Sequence, residues 1–538
     1  MKKYIVLTLV ILIGTVSCTD LDVIPKDGRA LESIVFAEQD AYISYLAKVY
    51  ASLTLTGQEG PAGSADLTII ADEGFSSYIR VYWKAQELTT DEAVIRWTDA
   101  GIQDLNTNSW SSDNQFVRVL YYRIYFTVAL ANDFLRVAET HGGVFDQNFT
   151  NQLEKFKAEA RYIRAMAYWH ALDLFRNVTL ITEVGSALPS QVSPTELYNF
   201  ILSELNEIEP LMTNANQGDY GRADKAALWM LRAKLKLNAP VYLPAGSVEL
   251  DGIYDDVVSD LESVMSAGYS LNPNYLFNFN ADNHTSPEMI FPLTVDGTNS
   301  QSWGSTTFLI SGMIFSKEDT TDVGHMRPAD WGMSGGWLGI RCTKNFVSLF
   351  ETAPGTFTAD GRQQFFTPGR TRDVPDILGQ DNGYPSPKYS NIGSGGSAGN
   401  NNTFPDTDYP MFRLADAYLM YAEAVLRGGS GTRAAALGYI NELLTRAYGD
   451  VSGNIVDADM TLDFILEERG RELYFEATRR QDLIRFNKYS ARAGADEMVW
   501  EWKGNDVNGL SIPSKFEIFP IPATDLSANP NLVQNKDY

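Results

Sequence analysis

Three tryptophans stand where no hydrophobic stripe asks for them. Trp303 lies within Asn299-Ser300-Gln301-Ser302-Trp303-Gly304-Ser305, Trp337 closes Gly332-Met333-Ser334-Gly335-Gly336-Trp337, and Trp97 sits in a similarly polar stretch. A wide flat ring in such a loop suits stacking on the apolar C–H face of a sugar, whose hydroxyl rim then needs polar partners at the edge. Core packing is the competing reading for each of the three, and the polar context favours stacking. Trp169 and Trp229, by contrast, fall on helical faces and belong to the core. With ten Trp and 27 Tyr, the chain has more flat side chains than a core of its size requires.

Catalytic patterns are missing. The four histidines form no H-E-x-x-H spacing, no G-x-S-x-G elbow occurs, and no glycine-rich loop follows a strand to cradle phosphate. A glycosidase needs only two carboxylates at the right separation, and 68 acidic residues make counting useless against that possibility. The alternating charges from Glu467 to Arg485 read as a structural network on a helix. Asp406 and Asp408, spaced D-x-D before an expected helix, offer hard oxygen ligands to a structural calcium, with capping or solvation as the favoured reading. No other cofactor is implied.

The elements that must position these residues begin after a short leader. Met1 to Lys3 is basic and Tyr4 to Ile13 apolar but too short to span a bilayer, and Thr15-Val16-Ser17-Cys18 ends it as a lipoprotein signal peptide ends. Residues 1–17 are thus expected to be removed and Cys18 to carry the lipid, holding the chain at a membrane through several acyl chains. An ordinary secretory signal with an incidental cysteine is the alternative. Residues 18–30 read as an acidic tether. Cys342 then has no disulfide partner and is expected buried. A net charge of −25 without a Lys/Arg cluster excludes nucleic acid as a ligand.

From about residue 31 apolar residues recur at three and four spacing over Phe36–Leu53, Phe116–Val137, Asn151–Phe175, Pro194–Met212, Lys225–Ala239 and Tyr254–Ser266. They do so again over Met411–Leu426, Arg433–Tyr448 and Thr461–Glu476. The fold class is mostly α, a scaffold of tetratricopeptide-like helical hairpins, with Pro194–Met212 and Lys225–Ala239 forming one pair. Periodicity fails over about 55–115 and 271–405. The second stretch divides an N-terminal helical part (31–270) from a C-terminal one (406–538), and long irregular stretches of this kind carry function.

Residues 157–175, with Lys157-Ala158-Glu159-Ala160-Arg161-Tyr162-Ile163-Arg164-Ala165-Met166-Ala167-Tyr168-Trp169, resemble the central helix signature of the SusD/RagB family of nutrient-binding outer-membrane lipoproteins. So do Met411-Phe412-Arg413-Leu414-Ala415-Asp416-Ala417-Tyr418, Leu466-Glu467-Glu468-Arg469-Gly470-Arg471-Glu472-Leu473, Arg479-Arg480-Gln481-Asp482-Leu483-Ile484-Arg485 and Phe519-Pro520-Ile521-Pro522. The resemblance covers nearly the whole chain. It implies a loop-rich ligand face, a non-enzymatic role, and a TonB-dependent SusC-like transporter as partner, over which the protein sits as a lid at the cell surface.

Asp72-Glu73-Gly74, Glu87 to Glu92, Gly221-Arg222-Ala223-Asp224 and Pro405-Asp406-Thr407-Asp408 resemble the starch-binding branch. That resemblance carries an aromatic arc over to Trp97, Trp303 and Trp337, with Arg80 and Asp72 as hydrogen-bonding partners, and makes starch or another α-glucan the expected ligand. Dextran, fructan, a host glycan or a peptide are the alternatives. Three positions depart from the branch: Ile95 stands in place of a second tryptophan, Ala100 in place of an amide, and Trp303 in place of a tyrosine.

Overall fold

The computed structural model describes residues 31–61, 63–70, 72–185, 187–315 and 326–538. The signal peptide, Cys18 and the tether expected at 18–30 lie outside the described residues. Helices start where side-chain acceptors meet the orphan N–H groups of the first turn. Asn114 caps Gln115–His141, Asp146 caps Gln147–Phe175, Asp224 caps Lys225–Leu237, and Ser193 caps Pro194–Ile208, whose proline sits at the first turn. The two long helices Gln115–His141 and Gln147–Phe175 form an antiparallel hairpin, and the second is almost wholly buried from Ala158 onward. No helix among the described residues is long and apolar enough to cross a membrane.

Three local expectations differ from the structure. Pro194–Ile208 packs chiefly on Gln147–Phe175, and Lys225–Leu237 chiefly on Ile253–Met265, so the expected hairpin is one contact within a longer stack. Glu204 explains the first preference, because it bonds both Arg161 and Arg164 of the long helix. Tyr409–Arg413 is a strand paired antiparallel with Met289–Leu293, and the helix starts only at Leu414. Pro410 keeps the residue before it extended and supplies no N–H to a helix. Finally, Tyr78–Glu87 is a helix buried at all ten positions, inside the stretch read as irregular. Arg80, Lys84 and Glu87 recur at four and three spacing and apolar residues fill most of the rest, so the helical period is present in these ten residues and the irregular reading of the stretch is wrong there.

The C-terminal charges form a buried lattice. Arg413 meets Glu288 at 2.7 Å, Glu472 at 2.6 Å and Glu476 at 2.7 Å, while Arg362 meets Asp360, Glu468 and Glu472. Arg469 bridges Asp416 and Asp482, and Arg485 bridges Glu423 and Asp482. Burial alone would raise the Glu423 carboxyl, yet the guanidinium groups of Arg485 and Arg427 hold it at about 2.

This arrangement makes stability depend on pH. Burial, with Lys234 nearby, pulls His170 down to about 3 from 6.5, so the unfolded chain takes up a proton first and stability is lost as pH falls through that interval. Glu423 adds a loss of the same sign between 4.5 and about 2. Glu92, lifted by burial to about 7, acts oppositely: its contribution is present below 4.5 and lost as pH rises through 7. The two opposing contributions offset one another between 6.5 and 4.5, so the melting temperature should change little over that range and fall below it. His170→Gln should leave Glu92 unopposed, so that the melting temperature rises on acidification from 6.5 to 4.5, and an unchanged profile in that variant would remove His170 from the account.

Candidate functional site

Two paired strands deliver two of the tryptophans to one place. Ala93–Ile95 pairs with Ile340–Cys342, Ile95 opposite Ile340, and Arg96 N–H extends the ladder to Gly339 O at 3.0 Å. Trp97 thus leaves one strand as Trp337 leads into the other, and their ring centres lie 6.1 Å apart at 57°. Trp303 arrives from the loop between Met289–Leu293 and the short buried helix Ser305–Ser311, 6.0 Å from Trp337 at 54°. Phe404 backs it at 4.6 Å. All three indoles are half-buried, each keeping part of its surface in a cleft of about 810 Å³ lined also by Asp72, Glu73, Phe75, Arg80 and Asp99.

Arg80 holds this wall together from beneath. Its Nη1 donates to Trp303 O at 2.8 Å and Gly74 O at 3.1 Å, and its guanidinium lies 4.5–5.7 Å from the rings of Phe75, Phe308, Trp337 and Trp97. Burial pulls its pKa down to about 9, so it stays protonated at neutral pH. Its Nε has no hydrogen-bond partner among the described residues. Asp72 sits exposed at the rim and spends Oδ1 on Gly74 N–H at 2.9 Å, leaving its other oxygen available. The five expected residues are therefore brought together, with Arg80 set as a buttress as much as a ligand donor. Phe75, Asp99, Phe308 and Phe404 were not singled out by sequence reasoning. Asp99, two residues beyond Trp97, was within reach of it; the phenylalanines carry no signal that separates them from core.

Gly339 is required by close approach. A Cβ there would lie 2.4 Å from Trp97 Cε2. Gly339→Ala should push the Trp97 ring out of line and cost about 1–3 kcal/mol of stability, read by denaturant unfolding, together with weaker ligand binding. Unchanged stability and binding would show that the ring is free to shift.

Asp406 and Asp408 lie outside this cleft, in a cavity of about 540 Å³, and precede a strand, not the expected helix. Asp406 accepts from Gly297 N–H at 2.9 Å and Asn400 N–H at 2.7 Å; Asp408 accepts from Val295 N–H and the Tyr220 hydroxyl, both at 2.7 Å. Burial lifts Asp408 to about 6. Each oxygen already pins a loop. Among the described residues no group of three or more His, Cys, Asp or Glu is placed to hold a metal.

Glu87 and Glu92 form a carboxylate pair raised by burial, but both are enclosed. Glu87 accepts from Thr478 N–H and Glu92 from Phe475 N–H, so the pair fastens a turn and meets no solvent. Cys342 is buried, its thiol pushed up by that burial. Trp169 is buried, and Trp229 is half-buried with its Nε1 on Glu209 at 2.8 Å.

Comparison with known proteins agrees with this architecture. A model of the SusD family matches residues 361–538. The starch-binding protein SusD of Bacteroides thetaiotaomicron is 34% identical, over 98% of this chain and 96% of that one. A SusD superfamily protein of known structure from the same species superposes with a TM-score of 0.70 at 18% identity, over 93% and 99% of the two chains. Surface glycan-binding protein A of that species, solved with laminarihexaose, gives a TM-score of 0.66 at 19% identity, over 92% and 99%. The chain thus shares a third of its residues with the starch-binding protein SusD over nearly the whole of both chains, and it belongs to the SusD family.

Proposed function

We propose that the protein is a surface glycan-binding protein that captures starch or another α-glucan on the arc of Trp97, Trp337 and Trp303 and passes it to a SusC-like TonB-dependent transporter. As a member of the SusD family it is a non-catalytic, carbohydrate-binding protein. The observation that carries the ligand class is the arc itself: three half-exposed indoles at 6.0–6.1 Å, each tilted 54–57° from the next, in one open cleft. Planes turned in this sense form a curved wall, which suits a chain that curls and presents its C–H faces in succession. Asp72, Asp99 and Glu73 at the rim face the hydroxyl edges.

The similarity to SusD supports starch. The relative solved with laminarihexaose keeps a β-glucan as the second reading. Lipidation at Cys18 and anchoring at the outer surface complete the proposal, resting on the leader and the family. Retention in native gels containing amylopectin, laminarin, dextran or fructan tests the ligand. Amylopectin should retard the wild type and leave the Trp97→Ala/Trp303→Ala/Trp337→Ala variant unretarded. Retardation by laminarin alone would move the reading to a β-glucan, and equal retardation of the triple variant would place binding elsewhere.

A further inference from the structure

The arc is made from loops far apart in sequence, and one buried amide ties them. Asn391 is fully buried and uses both ends of its side chain. Its Nδ2 donates to Gly332 O at 3.0 Å, on the loop leading to Trp337, and to Asn401 O at 2.9 Å, on the loop of Phe404. Its Oδ1 accepts from Asp406 N–H at 3.0 Å. Asp406 in turn takes Gly297 N–H, on the loop leading to Trp303, and Asn400 N–H. Asn401 Oδ1 turns the chain by accepting from Thr403 and Phe404 N–H, which sets the Phe404 ring against Trp303. Ser334 N–H closes the circuit on Asn402 O at 2.6 Å.

The fit around the amide leaves no slack. The backbone N–H and C=O of Asn391 are also taken, by Trp331 O and Gly399 N–H. A Cβ on Gly399 would come within 2.2 Å of Asn391 Oδ1. The loop leading to Trp337 and the loop of Phe404 therefore meet on one side chain, whose donors and acceptor cannot be exchanged for others of the same shape, and Asp406 extends the tie to the loop of Trp303.

We infer that Asn391, acting with Asp406, is a positioning residue that sets the angle and spacing between Trp303 and Trp337, and through them which glycan curvature the cleft accepts. This inference rests on the arc being the glycan site. Asn391 touches no ligand itself; it reads out through the two rings.

Asn391→Asp is the sharpest test, because it keeps shape and an acceptor while removing both donors. Maltoheptaose binding by calorimetry well below the melting temperature should weaken about tenfold or more, because the spacing and angle of the two rings are no longer held. In a Trp303→Ala background the same change should cost less than in the wild type, since the angle between Trp303 and Trp337 that it sets no longer exists. Near-ultraviolet and 220–230 nm circular dichroism, which report coupling between neighbouring indoles, should change in Asn391→Asp without any ligand. That arm stands even if the wild type binds no maltoheptaose, so failure of the glucan reading is distinguishable from failure of this one. Should Asn391→Asp not fold, Asp406→Ala takes its place with the same expectations. A variant with lowered melting temperature but wild-type affinity and dichroism would overturn the inference, as would an equal loss in the Trp303→Ala background.

Discussion

Trp337→Ala is expected to lose about 2 kcal/mol or more of glycan binding, roughly a 30-fold rise in Kd, with the fold intact. Trp337 is the middle ring: it contacts both Trp97 and Trp303, and Arg80 lies 5.5 Å below it. Removing it opens a gap between two surviving platforms and so breaks the continuity of the wall, whereas removing Trp303 or Trp97 shortens the wall from one end. Weak binding is normal for an open site that leaves much of the ligand solvated, so a loss of this size should bring the affinity below detection in gel retention. Trp337→Phe should recover part of it. Titration calorimetry with maltoheptaose decides the matter, and a Kd within about twofold of wild type would remove Trp337 from the site.

Arg413→Met is the substitution expected to cost the most stability. It leaves Glu288, Glu472 and Glu476 buried, with Arg446, Arg362 and Lys388 still present but one charge short. Stripping one partner from a buried ionic lattice costs about 3–5 kcal/mol, because the remaining carboxylates keep their desolvation penalty. Lys388 offers little relief: burial pulls its own pKa down to about 8. Arg413 also bonds Glu472 O at 2.8 Å, so it joins the strand Tyr409–Arg413 to the helix Leu462–Leu473. Equilibrium unfolding in denaturant should show the loss, while glycan affinity of the folded fraction should be unchanged. A change under about 1 kcal/mol would mean the lattice rearranges around the gap.

Much of this architecture is legible in the residues. Ser193-Pro194-Thr195-Glu196 marks a helix start because the cap, the proline and the first-turn acid each satisfy a separate need, and the helix begins at Pro194. The Arg/Glu alternation from Glu467 to Arg485 was readable as a network, although only the fold shows that its partners include Arg362, Arg413, Glu423 and, 388 residues away, Asp91. Helix Tyr78–Glu87 carries its period in Arg80, Lys84 and Glu87, so the irregular reading missed a signal that is present, and what only the fold shows is that the polar side is buried too. The strand at Tyr409 was mistaken for helix because its apolar run is short and either period fits it.

The site divides in the same way. Trp97, Trp303 and Trp337 came forward by family resemblance, with their polar context favouring stacking; context alone does not single them out, since Trp110 in Asn108-Ser109-Trp110-Ser111-Ser112 is buried. What context could not give was their arrangement: the strand pairing of Ile95 with Ile340 that sets Trp97 beside Trp337, or the Arg80 bonds to the Trp303 and Gly74 carbonyls. Arg80 came forward by family resemblance as a ligand donor, and its burial shows a second role as a buttress. Asn391 gave no signal at all, because one amide in a glycine- and serine-rich loop looks like any other until the loops of Trp337 and Phe404 meet on it.

The location of the bound sugar tests the central claim most directly. A crystal structure of the protein lacking residues 1–18, grown with maltoheptaose, should show the oligosaccharide curved along Trp97, Trp337 and Trp303, with glucose faces stacked at about 4 Å from the rings. Its hydroxyls should reach the carboxylates of Asp72 or Asp99. Sugar bound elsewhere on the surface with the cleft filled by water, or a chain lying straight across the rim without touching the three indoles, would contradict it.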